Sequence, residues 1–276
     1  MTLLDALSMK LPSAKRTTLR RMISAGRVRV GGRVARVAKA EVASPDEVEV
    51  TDPPAPRPGR ERRLPFDVVH QDDDLMVIDK PHGLLTVSGA RDRRPAVLGM
   101  LKALGGEVHL VHRLDADAAG LIVLSRNAAA HAALKRQFAR HSAERVYLAM
   151  VDGCPTPPEG TIRSRLFERA DGRVQSTRRA DRGEPAVSHY QTVRSLRDES
   201  GQRRSVVRVR LETGRKHQIR VHLADRGCPI CNDRLYHPSP GDGALALVAV
   251  ELSIDHPRDG RRMTFRRALP DWAGGA

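Results

Sequence analysis

The chain has 276 residues, 40% of them hydrophobic, and a formal net charge of +15 at pH 7. This length and composition allow one or two folded domains, and no apolar run approaches the roughly 20 residues that would span a membrane. The positive charge makes a polyanion such as nucleic acid the first partner to consider, because lysine and arginine release counterions when they neutralise phosphates.

Two features of the sequence predict a cytoplasmic protein. The N-terminal apolar stretch is interrupted at Asp5 and no small-residue cleavage site follows, so we expect no signal peptide. The three cysteines, Cys154, Cys228 and Cys231, are an odd and low count. Such a count fits a reducing compartment better than a disulfide framework.

The first predicted element is a helix. Ser13 can begin it, Leu19, Met22 and Ile23 have helical spacing, and Gly26 can end it. We expect its leucine and isoleucine to face inward.

A hairpin is predicted after this helix. Arg27–Val30 alternates like a strand, Gly31-Gly32 forms a two-residue turn, and Arg33–Ala35 begins the return strand. Glu47–Val50 alternates in the same way. Strand periodicity predicts that the valines face inward and that most of the basic side chains face outward.

The helix and hairpin are strongly basic. Positions 15 to 36 contain eight basic residues and no acidic one: Lys15, Arg16, Arg20, Arg21, Arg27, Arg29, Arg33 and Arg36. The segment resembles the S4 RNA-binding domain in its stretches Lys15–Ile23, Gly26–Val30 and Gly32–Val34. The resemblance implies RNA binding by the basic residues up to Arg33, and a generic basic hairpin is the alternative.

A linker divides the chain. Residues 53–64 contain four prolines and a run of charges, which cannot form a regular element. We therefore predict an S4-like module at 1–52, the Pro/Arg-rich linker at 53–64 and a larger catalytic domain at 65–276.

The larger domain is rich in strands. Apolar runs predict strands at Phe66–His70, Leu75–Asp79, Leu121–Leu124, Arg145–Val151, Ala186–Leu196, Ser205–Leu211, Leu245–Ile254 and Met263–Phe265. Helical spacing occurs at Ala128–Arg140 and His217–Asp225, and Asp171-Gly172 signals a hairpin turn. Helical crossovers are too few for a doubly wound sheet, so the predicted fold class is α+β with a mixed, mostly antiparallel sheet.

The segment from His112 to Asp115 is the strongest candidate for chemistry. Arg113 and Asp115 offer a cation and a carboxylate on a loop that leads into a strand. This pairing suits the handling of a phosphate or a base next to a nucleophile or general base. A surface salt bridge is the alternative.

A second basic segment precedes the predicted helix at 217–225. Arg215, Lys216 and Arg220 concentrate positive charge near the helix start, where anions are favoured. Tyr147, on a predicted strand, is either a buried structural tyrosine or a site residue.

No metal site is expected. His217 and His222 are five residues apart, so one helical face cannot present both, and no third ligand lies nearby. Cys228 and Cys231 have the C-x-x-C spacing without a second pair, and we interpret them as buried packing residues.

Four motifs in order resemble the RluA-type family of pseudouridine synthases. His112–Asp115 corresponds to the family's HRLD signature, Lys80–Leu84 to its Lys-Pro-x-Gly-Leu, Arg145–Ala149 to its tyrosine strand and Gly214–His222 to its late Gly-Arg-x-His-Gln motif. The resemblance covers roughly residues 65–270.

The resemblance implies a role for each matching residue. Asp115 would attack the uridine or abstract a sugar proton, Arg220 would keep that carboxylate ionised and aimed, and Tyr147 would stack on the base as a candidate acceptor of the C5 proton. Arg113 would fill the gap left by the flipped-out nucleotide. Substrate contacts are implied for His112, Lys80, Arg215, Lys216, His217 and Gln218. The isomerisation needs no cofactor.

Two positions depart from the family pattern. Ala118-Ala119 stands where the family usually has Thr-Ser before Gly120, which removes two hydroxyls and puts the rigidity of the loop in question. Asn232 precedes Asp233 where the family often has glycine. Because asparagine tolerates the left-handed conformation, we expect Asn232 to be accommodated.

The expected partner is RNA, most closely the RNA of the large ribosomal subunit, with transfer RNA as the alternative substrate. A catalytically impaired RNA-binding protein or ribosome-assembly factor is the competing function, and the Ala118-Ala119 change favours it. Aromatic residues make up only 3% of the chain, so recognition would depend on backbone charge and RNA shape more than on stacking. We expect a monomer.

Overall fold

The computed structural model describes residues 1–51, 64–89, 94–105, 107–198 and 201–274. The chain divides into two compact units, Met1–Arg63 and Leu64–Ala276. Apart from Leu64, the predicted linker lies outside the described residues. None of the described helices combines the length and apolarity needed to cross a membrane.

The first unit packs two helices against a three-stranded antiparallel sheet of order β2-β1-β3. Its elements are α1 (Leu3–Lys10), α2 (Arg16–Ser24), β1 (Val28–Val30), β2 (Arg33–Val34) and β3 (Val48–Val50), with a 3-10 turn at Pro45–Glu47. Its core contains Leu3, Leu4, Ala6, Leu7, Leu19, Ile23, Val28, Val42 and Val48. The predicted helix and hairpin are present, although the helix begins at Arg16 and not at Ser13.

Helix α1 is not among the predicted elements. The Thr2 hydroxyl accepts a hydrogen bond from the Asp5 N–H at 3.3 Å and donates to the Asp5 carboxylate at 2.5 Å. The bond to the Asp5 N–H satisfies an otherwise unpaired donor of the first helical turn, and the Asp5 carboxylate holds the Thr2 hydroxyl in place. Asp5, which interrupts the apolar stretch in the sequence, therefore supports the helix that this stretch forms.

Val34 does not face inward as expected, since it is 47% exposed. The two-residue turn sets a register in which Val34 pairs with Arg29 and Arg33 with Val30. Directly paired residues of antiparallel strands share one face of the sheet. Val34 therefore lies on the same exposed face as Arg29.

The second unit contains one mixed, mostly antiparallel sheet of eleven strands, which confirms the predicted fold class. Nine strands follow the order β10-β9-β11-β12-β8-β13-β7-β5-β4, β14 pairs with β13, and β6 pairs with β7. Among the strands in the described ranges, only β7 and β13 pair in parallel.

The elements of this unit include every strand and helix predicted for it. The strands are β4 (Asp67–Gln71), β5 (Leu75–Lys80), β6 (His109–Leu110), β7 (Ala119–Ser125), β8 (Glu144–Asp152), β9 (Glu159–Glu168), β10 (Val174–Thr177), β11 (Glu184–Arg197), β12 (Arg203–Leu211), β13 (Leu247–Asp255) and β14 (Arg262–Arg266). The helices are α3 (Val97–Ala103), α4 (Ala128–Ala139) and α5 (Gln218–Asp225). Helix α5 starts one residue later than predicted, because His217 has a left-handed φ of 53°.

The largest core cluster packs residues of the sheet against helices α3 and α5. Tyr147, Val207 and Val209 from the central strands pack in one cluster with Ile219 and Leu223 of α5. Because neighbouring side chains of a strand alternate between faces, this packing fixes which residues of β8 reach the α5 side of the sheet.

Candidate active site

The sequence motifs meet at a cavity of about 470 Å³ in the second unit. Its wall combines the loop between β6 and β7, the strand β8 and the segment that leads into α5. The predicted site residues that line it are His112, Arg113, Asp115, Tyr147, Arg215, Lys216, His217, Gln218 and Arg220. Lys80 is the one predicted residue of this unit that does not line it.

Arg220 lies at the base of the cavity and is only 2% exposed. Its Nη1 is 3.6 Å from Oδ2 of Asp115, while its Nε and Nη2 bind the Asp233 carboxylate at 2.8 and 2.6 Å. Burial alone would lower the pKa of Arg220, but the hydrogen bond and charge of Asp233, together with the charge of Asp115, raise it. The guanidinium therefore remains a cation directly beside Asp115.

Asp233 was not among the predicted site residues. It is fully buried and holds Arg220 with two hydrogen bonds in a fork geometry, which fixes the direction of the third guanidinium nitrogen. In the sequence, Asp233 could have been recognised as a site residue because it ends the motif in which Asn232 replaces glycine.

Tyr147 is buried in the cavity wall. It shares a face of β8 with Arg145 and Ala149, as the alternation of the strand predicts. Burial raises the pKa of the Tyr147 phenol, and the negative charge of Asp115 acts in the same direction. At neutral pH the phenol is therefore protonated, and it presents an aromatic ring and a hydroxyl near the carboxylate.

Lys80 was expected to contact the substrate, but its side chain lies inside the protein and not in the cavity wall. Its side chain is fully buried, and Nζ donates to the carbonyls of Pro81, Leu84 and Ala116 at 2.8, 2.8 and 3.1 Å. Burial lowers the pKa of Lys80 to about 8, against the attraction of nearby carboxylates including Asp115. Lys80 therefore joins two loops and positions the backbone next to Asp115.

The side-chain amide of Gln218 also makes its hydrogen bonds within the protein. Its Oε1 accepts hydrogen bonds from the Thr213 hydroxyl at 2.8 Å and the Arg215 N–H at 3.0 Å. Its Nε2 donates to the Val187 carbonyl at 3.0 Å and the Ser188 hydroxyl at 2.9 Å. All four hydrogen-bonding positions of this buried amide are used, so Gln218 shapes the segment before α5 and has no free group for a substrate.

His112 packs behind the loop that carries Asp115. Its ring stacks on Phe138 at 4.6 Å, and its Nε2 accepts a hydrogen bond from the Val123 N–H at 3.1 Å. Burial lowers the pKa of His112 to about 3. The ring is therefore neutral and anchors the loop to α4 and β7.

The two basic residues before α5 have acidic partners. Lys216 Nζ binds Glu168 at 2.5 Å, and Arg215 Nη2 is 3.5 Å from Glu184. These pairs connect the segment to β9 and β11. The expected concentration of positive charge at the start of α5 is therefore partly neutralised.

At the cavity, the side chain of Arg113 is free, whereas that of His217 is held by a neighbouring residue. Arg113 is exposed, and within the described ranges its guanidinium has no hydrogen-bond or ion-pair partner, so it is free to meet a ligand. His217 is half-buried, and its Nδ1 is 2.8 Å from the Tyr236 hydroxyl. That contact fixes the ring plane against the cavity wall.

The loop before β7 is supported despite the Ala118-Ala119 departure. Both alanine side chains are buried, at 2% and 3% exposure, so hydroxyls there would enter packed positions. The Thr86 hydroxyl instead donates to the Leu114 carbonyl at 2.9 Å and accepts from the Leu114 N–H at 3.2 Å. Threonine from another segment thus fixes the residue next to Asp115.

The two histidines considered as metal ligands contact hydroxyls of the protein. The two ring nitrogens of His222 contact the hydroxyls of Ser164 and Ser188, each at 2.9 Å. Cys228 and Cys231 are free and buried, and burial raises the pKa of the Cys231 thiol to about 12.

One group in the described part of the chain has the spacing of metal ligands, and it lies outside the cavity. It consists of Asp72, Asp74 and His256. Asp72 also binds His70 at 2.8 Å, and Asp74 binds Arg258 at 2.7 Å. These ion pairs give the carboxylates a structural role at the β4–β5 turn.

Comparison with known proteins gives consistent matches. The family model described as RNA pseudouridylate synthase matches residues 74–225. Ribosomal large subunit pseudouridine synthase D of Zymomonas mobilis is 32% identical over 96% of this chain and 89% of its own length. The dual-specificity RNA pseudouridine synthase RluA of Escherichia coli is 36% identical over 72% of this chain and 91% of its own length.

Solved structures share the fold. Human RNA pseudouridylate synthase domain containing 1 has a TM-score of 0.63 at 22% identity and covers 74% of this chain and 84% of its own. Human RNA pseudouridylate synthase domain containing 4 has a TM-score of 0.60 at 24% identity, with coverage of 74% and 89%.

Proposed function

The chain belongs to the RNA pseudouridylate synthase family, and from this premise we propose that Asp115 is its catalytic carboxylate and that its substrate is the 23S RNA of the large ribosomal subunit. One observation carries the assignment of Asp115. Its carboxylate is 18% exposed in the cavity and stands 3.6 Å from the buried Arg220 cation.

The proposed reaction is an isomerisation without a redox change. Asp115 attacks the uridine or abstracts a sugar proton, and the bond between C1′ and N1 breaks. The base then rotates and C1′ bonds to C5, which displaces Asp115 from the uridine in the first route, whereas in the second route Asp115 returns the sugar proton. The C5 proton is lost and N1 gains a proton, so that all atoms are conserved. Arg220 places a positive charge 3.6 Å from the Asp115 carboxylate and helps to orient it.

We assign Tyr147 to contact the uracil base and Arg113 to fill the gap that the flipped base leaves in the RNA stack. The Tyr147 side chain, whose phenol is protonated, offers a ring face on which uracil stacks. A base in a folded RNA must leave its stack to reach a buried carboxylate. The exposed, unpaired Arg113 at the cavity is suited to fill the gap that remains.

The choice of ribosomal RNA is supported by the extent of the match. The relative that aligns with 96% of the chain carries a name that refers to the large ribosomal subunit. The relative named dual-specificity aligns with 72%. The longer match must include most of the basic N-terminal unit, for which we propose an S4-like role in binding RNA.

The test is a pseudouridine map of ribosomal and transfer RNA from cells that lack the gene. The cells are complemented with wild type, Asp115→Asn or Asp67→Asn, which changes an exposed aspartate of β4. We expect wild type and Asp67→Asn to restore the missing sites in 23S RNA, and Asp115→Asn to restore none. Restoration by Asp115→Asn would overturn the role of Asp115, and loss confined to transfer RNA would overturn the substrate.

A further inference from the structure

A second cavity, of about 320 Å³, lies beside the active site and shares Arg220 with it. Its volume is within the range of about 300–1,000 Å³ that is typical of ligand sites. It is lined by His82, Asp117, Arg234 and Asp242 among others. None of these four residues has a role in the reaction described above.

The outer wall of this cavity is held by Asn232. Asn232 has a left-handed φ of 63°, which confirms that asparagine is accommodated at this position. Its Nδ2 donates to the Ala244 carbonyl at 2.9 Å. A Cβ at Gly241 or Gly243 would come within 2.5 or 2.6 Å of the Asn232 side chain, so the loop closes directly onto Asn232 and a larger residue there would displace that side chain.

The carboxylates of this cavity supply hydrogen-bond acceptors, and Arg220 and Arg234 supply donors. The Asp117 side chain is 60% exposed, and its Oδ2 lies 3.9 Å from Nη1 of Arg220. Asp242 is exposed on the loop that Asn232 holds. His82 Nδ1 donates to the Asp117 carbonyl at 2.6 Å, which leaves Nε2 as an acceptor when the ring is neutral.

We propose that this cavity receives the nucleotide next to the target uridine and prefers a base with an exocyclic amino group, which is adenine, cytosine or guanine, over uracil. Both cavities are lined by Arg220, so they adjoin, and we assign consecutive nucleotides of one strand to them. This inference rests on the proposed function of the active site.

The charges explain why the base and not its phosphate faces the acceptors. The carboxylates of Asp117 and Asp242 repel a phosphate and accept hydrogen bonds from amino groups. Uracil has no amino group, and its one donor on this edge, N3–H, lies between two carbonyl oxygens that the carboxylates repel. Unstacked bases of single-stranded RNA are commonly recognised through such edges. Arg234 is exposed at the same cavity and provides a cation for the phosphate of that nucleotide.

The test uses synthetic RNA hairpins around the uridine that disappears from the pseudouridine map when the gene is deleted. The nucleotide on each side of that uridine is varied among the four bases, and kcat/KM is measured for wild type, Asp242→Asn and Asn232→Gly. The matched control is Asp271→Asn, which changes an exposed aspartate near the C-terminus. Glycine suits the φ of position 232, so Asn232→Gly is expected to fold.

At one flanking position, wild type and Asp271→Asn should prefer amino-bearing bases over uracil by about tenfold, the effect of one hydrogen bond to a charged group. Asp242→Asn and Asn232→Gly should reduce that preference to about twofold or less. Equal rates with all four bases at both positions in wild type, or an unchanged preference in both variants, would overturn the inference while leaving the proposed reaction intact. Absence of pseudouridine in every hairpin with wild type would instead overturn the proposed function and this inference with it.

Discussion

The ammonium group of Lys80 connects two loops by binding the carbonyls of Pro81, Leu84 and Ala116. Replacing Lys80 with methionine keeps an apolar stem but leaves these buried acceptors without a donor, and each such loss costs about 1–3 kcal/mol. We expect Lys80→Met to lower the free energy of unfolding by about 3 kcal/mol or more and to reduce kcat. Urea unfolding followed by fluorescence of Trp272, the one tryptophan, measures the first effect.

The matched control for this substitution is Lys102→Met, which removes an exposed lysine of α3. It should change both quantities little. If Lys80→Met kept its stability and kcat and raised only KM, Lys80 would be a direct substrate contact and the positioning role would be wrong.

At the scale of single residues, the sequence motifs identify the residues around the cavity but do not show which contacts each side chain makes. Asp115, Tyr147 and Arg220 come from distant segments and line one wall, as the motif resemblance implies. Lys80 and Gln218 look like free polar groups in the sequence, because a motif does not show burial. Lys80 binds carbonyls of loops, and Gln218 binds groups of β11 and of the segment before α5. Such tertiary contacts have no periodic signal in the sequence.

At the level of the elements, Gly120 connects the loop that carries Asp115 to the sheet. It lies in β7 with a φ of 116°, and a Cβ there would overlap the Ala249 carbonyl of β13. Gly120→Ala must therefore separate these two parallel strands or strain the backbone. We expect it to lower the free energy of unfolding by about 3 kcal/mol or more, measured by the same urea titration.

Gly99→Ala provides the comparison, because a Cβ at this position in α3 meets nothing within 4 Å. Alanine favours a helix over glycine by about 0.5–1 kcal/mol, so this variant should be as stable as wild type or slightly more so. An unchanged free energy of unfolding in Gly120→Ala would show that β7 and β13 can separate at this point without a loss of stability.

The predicted elements are the ones with strong apolar patterns. Strands such as β7 and β13 are buried along nearly their whole length, and such runs are visible in the sequence. Strand β9 instead alternates between exposed and partly buried residues in a polar sequence, and α3 contains an internal glycine. Both form because neighbouring segments pack on them, which local patterns do not report.

At the scale of the whole molecule, we expect the basic residues of the N-terminal unit to be a second means of holding RNA. Arg20, Arg21 and Arg33 are exposed and have no ion-pair partner among the described residues. The charge of this unit is predictable from the sequence alone, whereas its S4-like role and the monomeric state stay predictions. Phosphate contacts strengthen binding in proportion to the counterions that they release.

The last prediction separates specific RNA binding by this unit from the effect of total charge. The triple variant Arg20→Gln, Arg21→Gln and Arg33→Gln should raise KM and the RNA dissociation constant and leave kcat nearly unchanged. The slope of log affinity against log salt should become shallower by about two to three, since each phosphate contact contributes about 0.7–0.9. Filter binding to 23S RNA at several salt concentrations measures both.

The control removes the same charge from the second unit. Arg163, Arg208 and Arg210 are exposed on β9 and β12, and their alternation with buried Val207, Val209 and Leu211 places the two β12 arginines on the sheet face opposite Tyr147. The triple glutamine variant of these three arginines should change the salt slope by less than one. If both triple variants weakened binding equally, net charge and not an RNA-binding surface of the first unit would account for the affinity.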